Sequence, residues 1–139
     1  MTDAERRREM NRQIIEEFRA NEGRVGGPFE GVPLALLRSR GAKTGEERIN
    51  PLGCLDFEGT LYVFASNGGR PEQPGWYFNV QAHPHVTVEF GTERFPATAR
   101  VLEGAERDRI WDEQVRRIPA FADYQDKVDR LIPVVALER

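Results

Sequence analysis

Residues 86–101 constrain the fold more than any other stretch of the chain. Val86, Val88 and Phe90 alternate with Thr87 and Glu89; after Gly91-Thr92, Phe95, Ala97, Ala99 and Val101 alternate again. A period of two puts one set of side chains on one face of a strand, so the two runs predict a β-hairpin with a single buried face. Leu61-Tyr62-Val63-Phe64-Ala65 is continuously apolar, as expected of a strand buried on both sides. Two further strands are read at 32–38 and 48–57; Pro51 inside the second points to an edge or a bulge. A sixth strand spans 132–137.

Helical periodicity fills the rest. Met10, Ile14 and Phe18, with Ile15 beside them, form a narrow apolar stripe on a helix over 2–21, and Asn21-Glu22-Gly23 supplies its stop. A short helix is read at 74–82, ending before Pro84. Ile110, Trp111, Val115 and Ile118 mark a helix over 104–118, followed by a shorter one at 119–126. Strands in successive hairpins with helices between them predict an α+β fold, a mainly antiparallel sheet that curls to hide its edges. The βαβ alternation of a doubly wound parallel sheet is absent. The organisation expected is an amphipathic N-terminal helix, residues 1–22, followed by one domain, residues 23–139.

Composition narrows the function. The 139 residues carry 20 Lys and Arg against 23 Asp and Glu, a net charge of -3, which argues against a general nucleic-acid binder. No apolar run reaches the ~18–20 residues of a membrane span, and the charged N-terminus does not read as a signal peptide. The lone Cys54 fits a small core residue in a reducing, cytoplasmic setting. His83 and His85 flank Pro84 without a third ligand nearby, so no metal site is expected.

Two loops carry chemistry. Between the first two strands, Gly41-Ala42-Lys43-Thr44-Gly45 superficially matches a phosphate-binding loop, but Ala42 stands where a glycine should precede the lysine and no helix follows. The turn still gathers Arg38, Arg40, Lys43 and Arg48 around two glycines and the hydroxyls of Ser39 and Thr44. Cations, hydroxyls and free N–H groups on a tight turn are how an anion is cradled; an ordinary charged hairpin turn is the alternative. The second loop, Ser66-Asn67-Gly68-Gly69-Arg70, follows the most apolar strand and offers another N–H cluster. Just beyond it come Trp76, Tyr77 and Phe78. Helical neighbours differ by ~100°, so the three rings cannot all enter one core.

These segments together resemble the deazaflavin-dependent nitroreductase family of actinobacteria, whose members bind coenzyme F420. The matching blocks are Gly23-Arg24-Val25-Gly26-Gly27; Gly41 to Gly45 with Arg48 and Pro51; Val63 to Ser66 with Gly68-Gly69; Pro74 to Asn79 with His83-Pro84-His85-Val86; Asp123-Tyr124-Gln125; and Arg130 to Val135. The resemblance implies a split β-barrel like that of FMN-binding oxidoreductases, and hydride transfer from reduced deazaflavin to a flat electron-poor acceptor, a quinone or a nitroaromatic. It implies that Lys43, Thr44, Gly45 and Arg48 hold the phosphate, and that Ser66 and the amides of Asn67, Gly68 and Gly69 meet the phosphate or the ring edge. Pro51, Leu52, Trp76, Tyr77 and Asn79 would border the ring; Asn50 and Ala65 complete the cofactor-binding set. Tyr124 and Ser66 are the candidate catalytic residues, as proton donors or hydrogen-bonders to the acceptor.

The chain departs from the family pattern at Asn67, where the nitroimidazole-activating member has lysine, and at Ile118 and Phe121, where it has tyrosines. A less polar acceptor pocket follows, which favours a quinone or another hydrophobic acceptor. The alternatives are a protein of the same fold binding FMN or a tetrapyrrole, and a cofactor carrier without turnover. A homodimer, and a peripheral membrane contact through the N-terminal helix, are candidate associations.

Overall fold

The computed structural model describes residues 1–139, apart from the side chain of Pro28. The hairpin read at 86–101 is β4 (His85–Phe90) and β5 (Glu93–Val101), in register Val86 opposite Ala97 and Val88 opposite Phe95. Gly91, at φ +61, makes its turn. The other strands are β1 (Leu34–Arg40), β2 (Glu47–Phe57), β3 (Thr60–Phe64) and β6 (Val134–Glu138). All pair antiparallel, and the sheet closes in the order β1-β2-β3-β6-β5-β4, which leaves no outer edge strand.

Strand β2 serves two neighbours in turn. Its first part pairs with β1, as far as Gly53 opposite Leu34; its last part, from Cys54 opposite Val63, pairs with β3. Pro51 falls in the first part, where only β1 is beside it. The strand is therefore locally an edge, which is why a residue without an N–H is tolerated there. The same split leaves one side of residues 47–53 without a strand partner.

Alternation along β1 and β2 sorts the core. Ala35, Leu37 and Cys54 point into the barrel with Val63, Val88, Val135 and Leu137. Leu34 and Leu36 point outward, against α1 (Asp3–Ala20) through Ile14, Ile15 and Phe18. Met10, read as part of that stripe, is 57% exposed. Only the last turns of α1 reach the sheet. Helices α3 (Gly104–Arg117) and α4 (Phe121–Asp126) cover the opposite outer face, packing Ile110, Trp111 and Phe121 on Leu55, Tyr62, Phe64 and Val134. Helix α2 (Gly75–Ala82) packs on β1 and β5 and sends Trp76 and Val80 into the barrel interior.

Periodicity missed two buried polar residues on α3. Arg107 is 5% exposed and donates to the carbonyl of Ile132 through Nε at 3.1 Å and Nη2 at 2.6 Å. Gln114 is fully buried and its amide meets no partner among the described residues.

Candidate functional site

The turn between β1 and β2 is built by its own backbone. Gly41 N–H donates to the Glu46 carbonyl at 2.7 Å, and Gly45 N–H to the Gly41 carbonyl at 2.9 Å. Glu46 N–H donates to Thr44 Oγ1 at 3.2 Å. Gly45 takes φ +72, a conformation that costs glycine little. Asn79 on α2 braces the turn from outside, its Oδ1 accepting from Ala42 N–H at 3.0 Å. The N–H groups of Lys43 and Thr44 meet no protein acceptor among the described residues.

The four cations of this region divide. Arg38 pairs with Glu47 at 2.7 Å, and Arg48 with Glu46 at 3.3 Å. Lys43 and Arg40 have no carboxylate partner among the described residues. Lys43 thus brings an uncompensated charge and two open N–H groups to one tight turn, a donor set suited to a phosphate.

The second loop follows β3 as a short 3-10 turn, Asn67–Gly69. Asn67, Gly68 and Gly69 take φ of +51, +64 and +81. Successive N–H groups in such a conformation converge on one concavity. Gly69 N–H closes back on the Ser66 carbonyl at 2.9 Å. Those of Ser66, Asn67 and Gly68 meet no acceptor among the described residues. The Asn67 side chain is oriented locally, donating from Nδ2 to the Glu72 carbonyl at 3.0 Å.

Helix α4 lies against this turn. A Cβ at Gly69 would stand 2.9 Å from Lys127 Cδ, which can swing aside, and 3.6 Å from Tyr124 Cδ1; it is the φ of +81 that favours glycine here. Tyr124 is half-buried and packs edge-on against Phe121 with ring centroids 5.3 Å apart. Phe121 in turn closes on β2 at Gly53, where a Cβ would meet its Cζ at 3.3 Å. The helix bearing Tyr124 therefore joins the Ser66 loop to the stretch of β2 that lacks a second strand partner.

The remaining expected residues fall on several sides. Pro51 stands opposite Leu36, on the outer face of β2. Asn50 and Leu52 stand opposite Leu37 and Ala35, on the inner face, and Ala65 is fully buried inside the barrel. Trp76 is 4% exposed and enters the barrel, with Tyr77 edge-on to it at 6.4 Å. Phe78 is 52% exposed, so the aromatic triplet does divide between core and surface. Two surface clefts, about 540 Å³ beside Glu17 and Arg24 and about 350 Å³ at the barrel mouth near Phe90 and Phe95, include none of these residues. Sequence periodicity had no means of finding Arg130 and Lys127 as neighbours of the loop, since their contacts follow the closing of the sheet.

The two loops offer donor sets suited to an anionic group. Two sets of unsatisfied N–H groups with Lys43 suit phosphate and ring oxygens, and the open part of β2 lies beneath α4. Comparison with known proteins identifies the family. Over 126 residues the chain is 35% identical to an F420H(2)-dependent quinone reductase of Mycobacterium tuberculosis, covering 88% of this chain and 85% of that protein. A solved F420-H2 dependent reductase superposes with TM-score 0.70 at 46% identity, over 76% of this chain and 94% of its own. A second structure, described as a domain-swapped dimer, gives TM-score 0.72 at 39% identity, over 99% and 100% of the two chains. The fold alone extends further, to a putative pyridoxamine 5'-phosphate oxidase of Listeria innocua (TM-score 0.52, 14% identity, 92% of this chain and 91% of that one). The family model for F420H(2)-dependent quinone reductases matches residues 9–139, and the chain, a split β-barrel, belongs to that family.

Proposed function

We propose that the protein reduces a quinone with hydride from reduced 8-hydroxy-5-deazaflavin, at the open part of β2 beneath α4. The observation that carries this reading is the pair of N–H cradles, at Lys43-Thr44 and at Ser66 to Gly68, on the two loops beside that strand. Bound deazaflavin supplies a two-electron hydride from its C5 position. The chain's own residues bind, orient and exclude water. Lys43, Thr44 and Arg48 hold the phosphate; Gly45, expected to join them, spends its N–H on the Gly41 carbonyl and shapes the turn instead, and Asn79 braces that turn through Ala42. The amides of Ser66, Asn67 and Gly68 take an oxygen of the ring edge or phosphate. Pro51 gives the ring an outer wall; Trp76, Tyr77, Asn50, Leu52 and Ala65 support the site from the barrel side.

Proton delivery falls to Ser66, at the start of the loop, and to Tyr124, on the helix that lies against it. Ile118 and Phe121, apolar and packed into the cluster under α3 and α4, favour a quinone over a nitroaromatic. The domain-swapped relative supports a homodimer for this chain. No helix is long and apolar enough to cross a membrane. The exposed Met10 on arginine-rich α1, with exposed Met1 just ahead of the helix, supports a peripheral contact where the acceptor is lipid-soluble.

Titration with reduced deazaflavin beside FMN, followed by turnover with a soluble naphthoquinone, tests the reading. Fluorescence quenching at micromolar protein by deazaflavin but not FMN, with quinone-dependent oxidation, is expected. Absence of quenching would sink the assignment, and binding without oxidation would leave a carrier.

A further inference from the structure

One guanidinium gathers the backbone behind the second cradle. Arg130 lies between α4 and β6. Its Nη1 donates to the Ala65 carbonyl at 3.0 Å and to Gln73 Oε1 at 2.6 Å. Its Nη2 donates to the carbonyls of Ser66 and Arg70, each at 3.1 Å, and its Nε to that of Pro71 at 3.1 Å. No carboxylate pairs with it among the described residues. Burial lowers its pKa, but arginine keeps its charge in any protein setting.

The consequence for the loop follows from peptide geometry. In a trans peptide the N–H points opposite to the C=O. Drawing the Ala65 and Ser66 carbonyls onto Arg130 therefore turns the N–H groups of Ser66 and Asn67 to the far side. Those are two of the N–H groups without a protein acceptor. The unpaired cation also polarises both peptides, raising the positive potential on the face where an anion would sit.

Arg130 is itself fixed from the helices. Gln125 on α4 donates from Nε2 to the Arg130 carbonyl at 2.7 Å and accepts at Oε1 from Ile132 N–H at 3.0 Å. Arg107 on α3 holds the Ile132 carbonyl. Gln125 is the residue after Tyr124, so one short network reaches from the loop to the helix over the acceptor.

We propose that Arg130 is a positioning residue: it presets the Ser66 and Asn67 N–H groups to receive an oxygen of the cofactor, and it ties that loop to the helix bearing Tyr124. The proposal rests on the deazaflavin reading for the ligand, not for the loop geometry. Lysine cannot replace it, because an ammonium has three donors and no planar fork to span five acceptors.

The test compares Arg130→Lys and Arg130→Ala with the wild type. In the ligand-free proteins, amide resonances of Ser66 and Asn67 are expected to shift and exchange faster, with circular dichroism and barrel amides unchanged. The deazaflavin Kd should rise roughly 10- to 100-fold, as a misplaced binding group costs, while the quinone KM at saturating cofactor stays put. Millimolar guanidinium, but not ammonium, should restore affinity to Arg130→Ala. Unmoved loop amides, or moved amides with unchanged cofactor affinity, would overturn the proposal. So would a parallel rise in both constants with a lowered melting temperature, which marks a fold-wide role. If the wild type fails to quench deazaflavin, the functional reading falls, and the amide measurement still decides whether Arg130 sets the loop.

Discussion

Lys43 and Arg48 occupy one turn but meet different neighbours. Lys43 has no carboxylate partner among the described residues, whereas Arg48 faces Glu46 at 3.3 Å. Lys43→Ala is expected to weaken cofactor binding by ~1.5–3 kcal/mol, the range for a charge-assisted hydrogen bond. Arg48→Ala should cost less, because Glu46 already competes for the guanidinium; a larger loss at Arg48 in the same titration would reverse this ranking. Inside the barrel, burial pushes the Cys54 thiol up to about 12, with nearby Asp56 adding to the effect. The unfolded chain ionises this thiol near its ordinary value of 9.0. The stabilisation is complete below that value and is lost as pH rises toward the folded one, with a slope of up to ~1.4 kcal/mol per pH unit. Urea unfolding of wild type and Cys54→Ala from neutral to alkaline pH should therefore converge, and parallel curves would show an accessible thiol. Lys43, Thr44 and the glycine loop were legible in the sequence because each motif is local. Arg130 stands in one of the matching blocks, but its part in the loop was not legible, because its acceptors lie up to 65 residues away and four of the five are backbone carbonyls, which any residue type supplies.

Among the elements, α1 is the one held most lightly. Phe18 is its only buried residue among those described, and its far end is fixed by Arg19, which donates to both oxygens of Glu89 at 3.1 and 2.7 Å. The Arg19 guanidinium holds the Glu89 carboxyl below its usual range. That contact contributes above the ordinary glutamate pKa and is lost as pH falls through the lowered one; at a partly exposed pair it is worth ~0.5–1 kcal/mol. The loop after α1 is tighter than its glycine content suggests. Gly23 takes φ +91, and a Cβ there would stand 2.8 Å from the Gly91 Cα, while one at Gly26 would meet nothing within 4 Å. Gly23→Ala should lower stability by ~1–3 kcal/mol through backbone strain, with Gly26→Ala staying within ~0.5 kcal/mol; equal melting temperatures would refute the contact. Strands and helices were read from the sequence to within two residues at most boundaries, because their periodicities are strong. The exposure of Met10 was not, because how far a helix overhangs its sheet depends on where β1 ends.

At the scale of the molecule, the sheet closes on itself while α1 stands outside it. Barrel amides are expected to exchange with solvent only through global unfolding, and those of α1 through cheaper local opening; simultaneous exchange would mean that α1 belongs to the cooperative unit. The net charge of -3 is a total that hides its distribution: Lys43 sits on the β1-β2 turn, apart from the acids of the outer helices. The strand order has a temporal side as well. Strand β6 sits between β3 and β5 but follows both in the chain, after residues 102–133. Until it is synthesised, two strands wait with bare hydrogen-bonding edges, one of them the apolar β3. The growing chain is thus most prone to self-association in the interval after β3 and β5 have emerged and before β6, the strand that seals them, has followed.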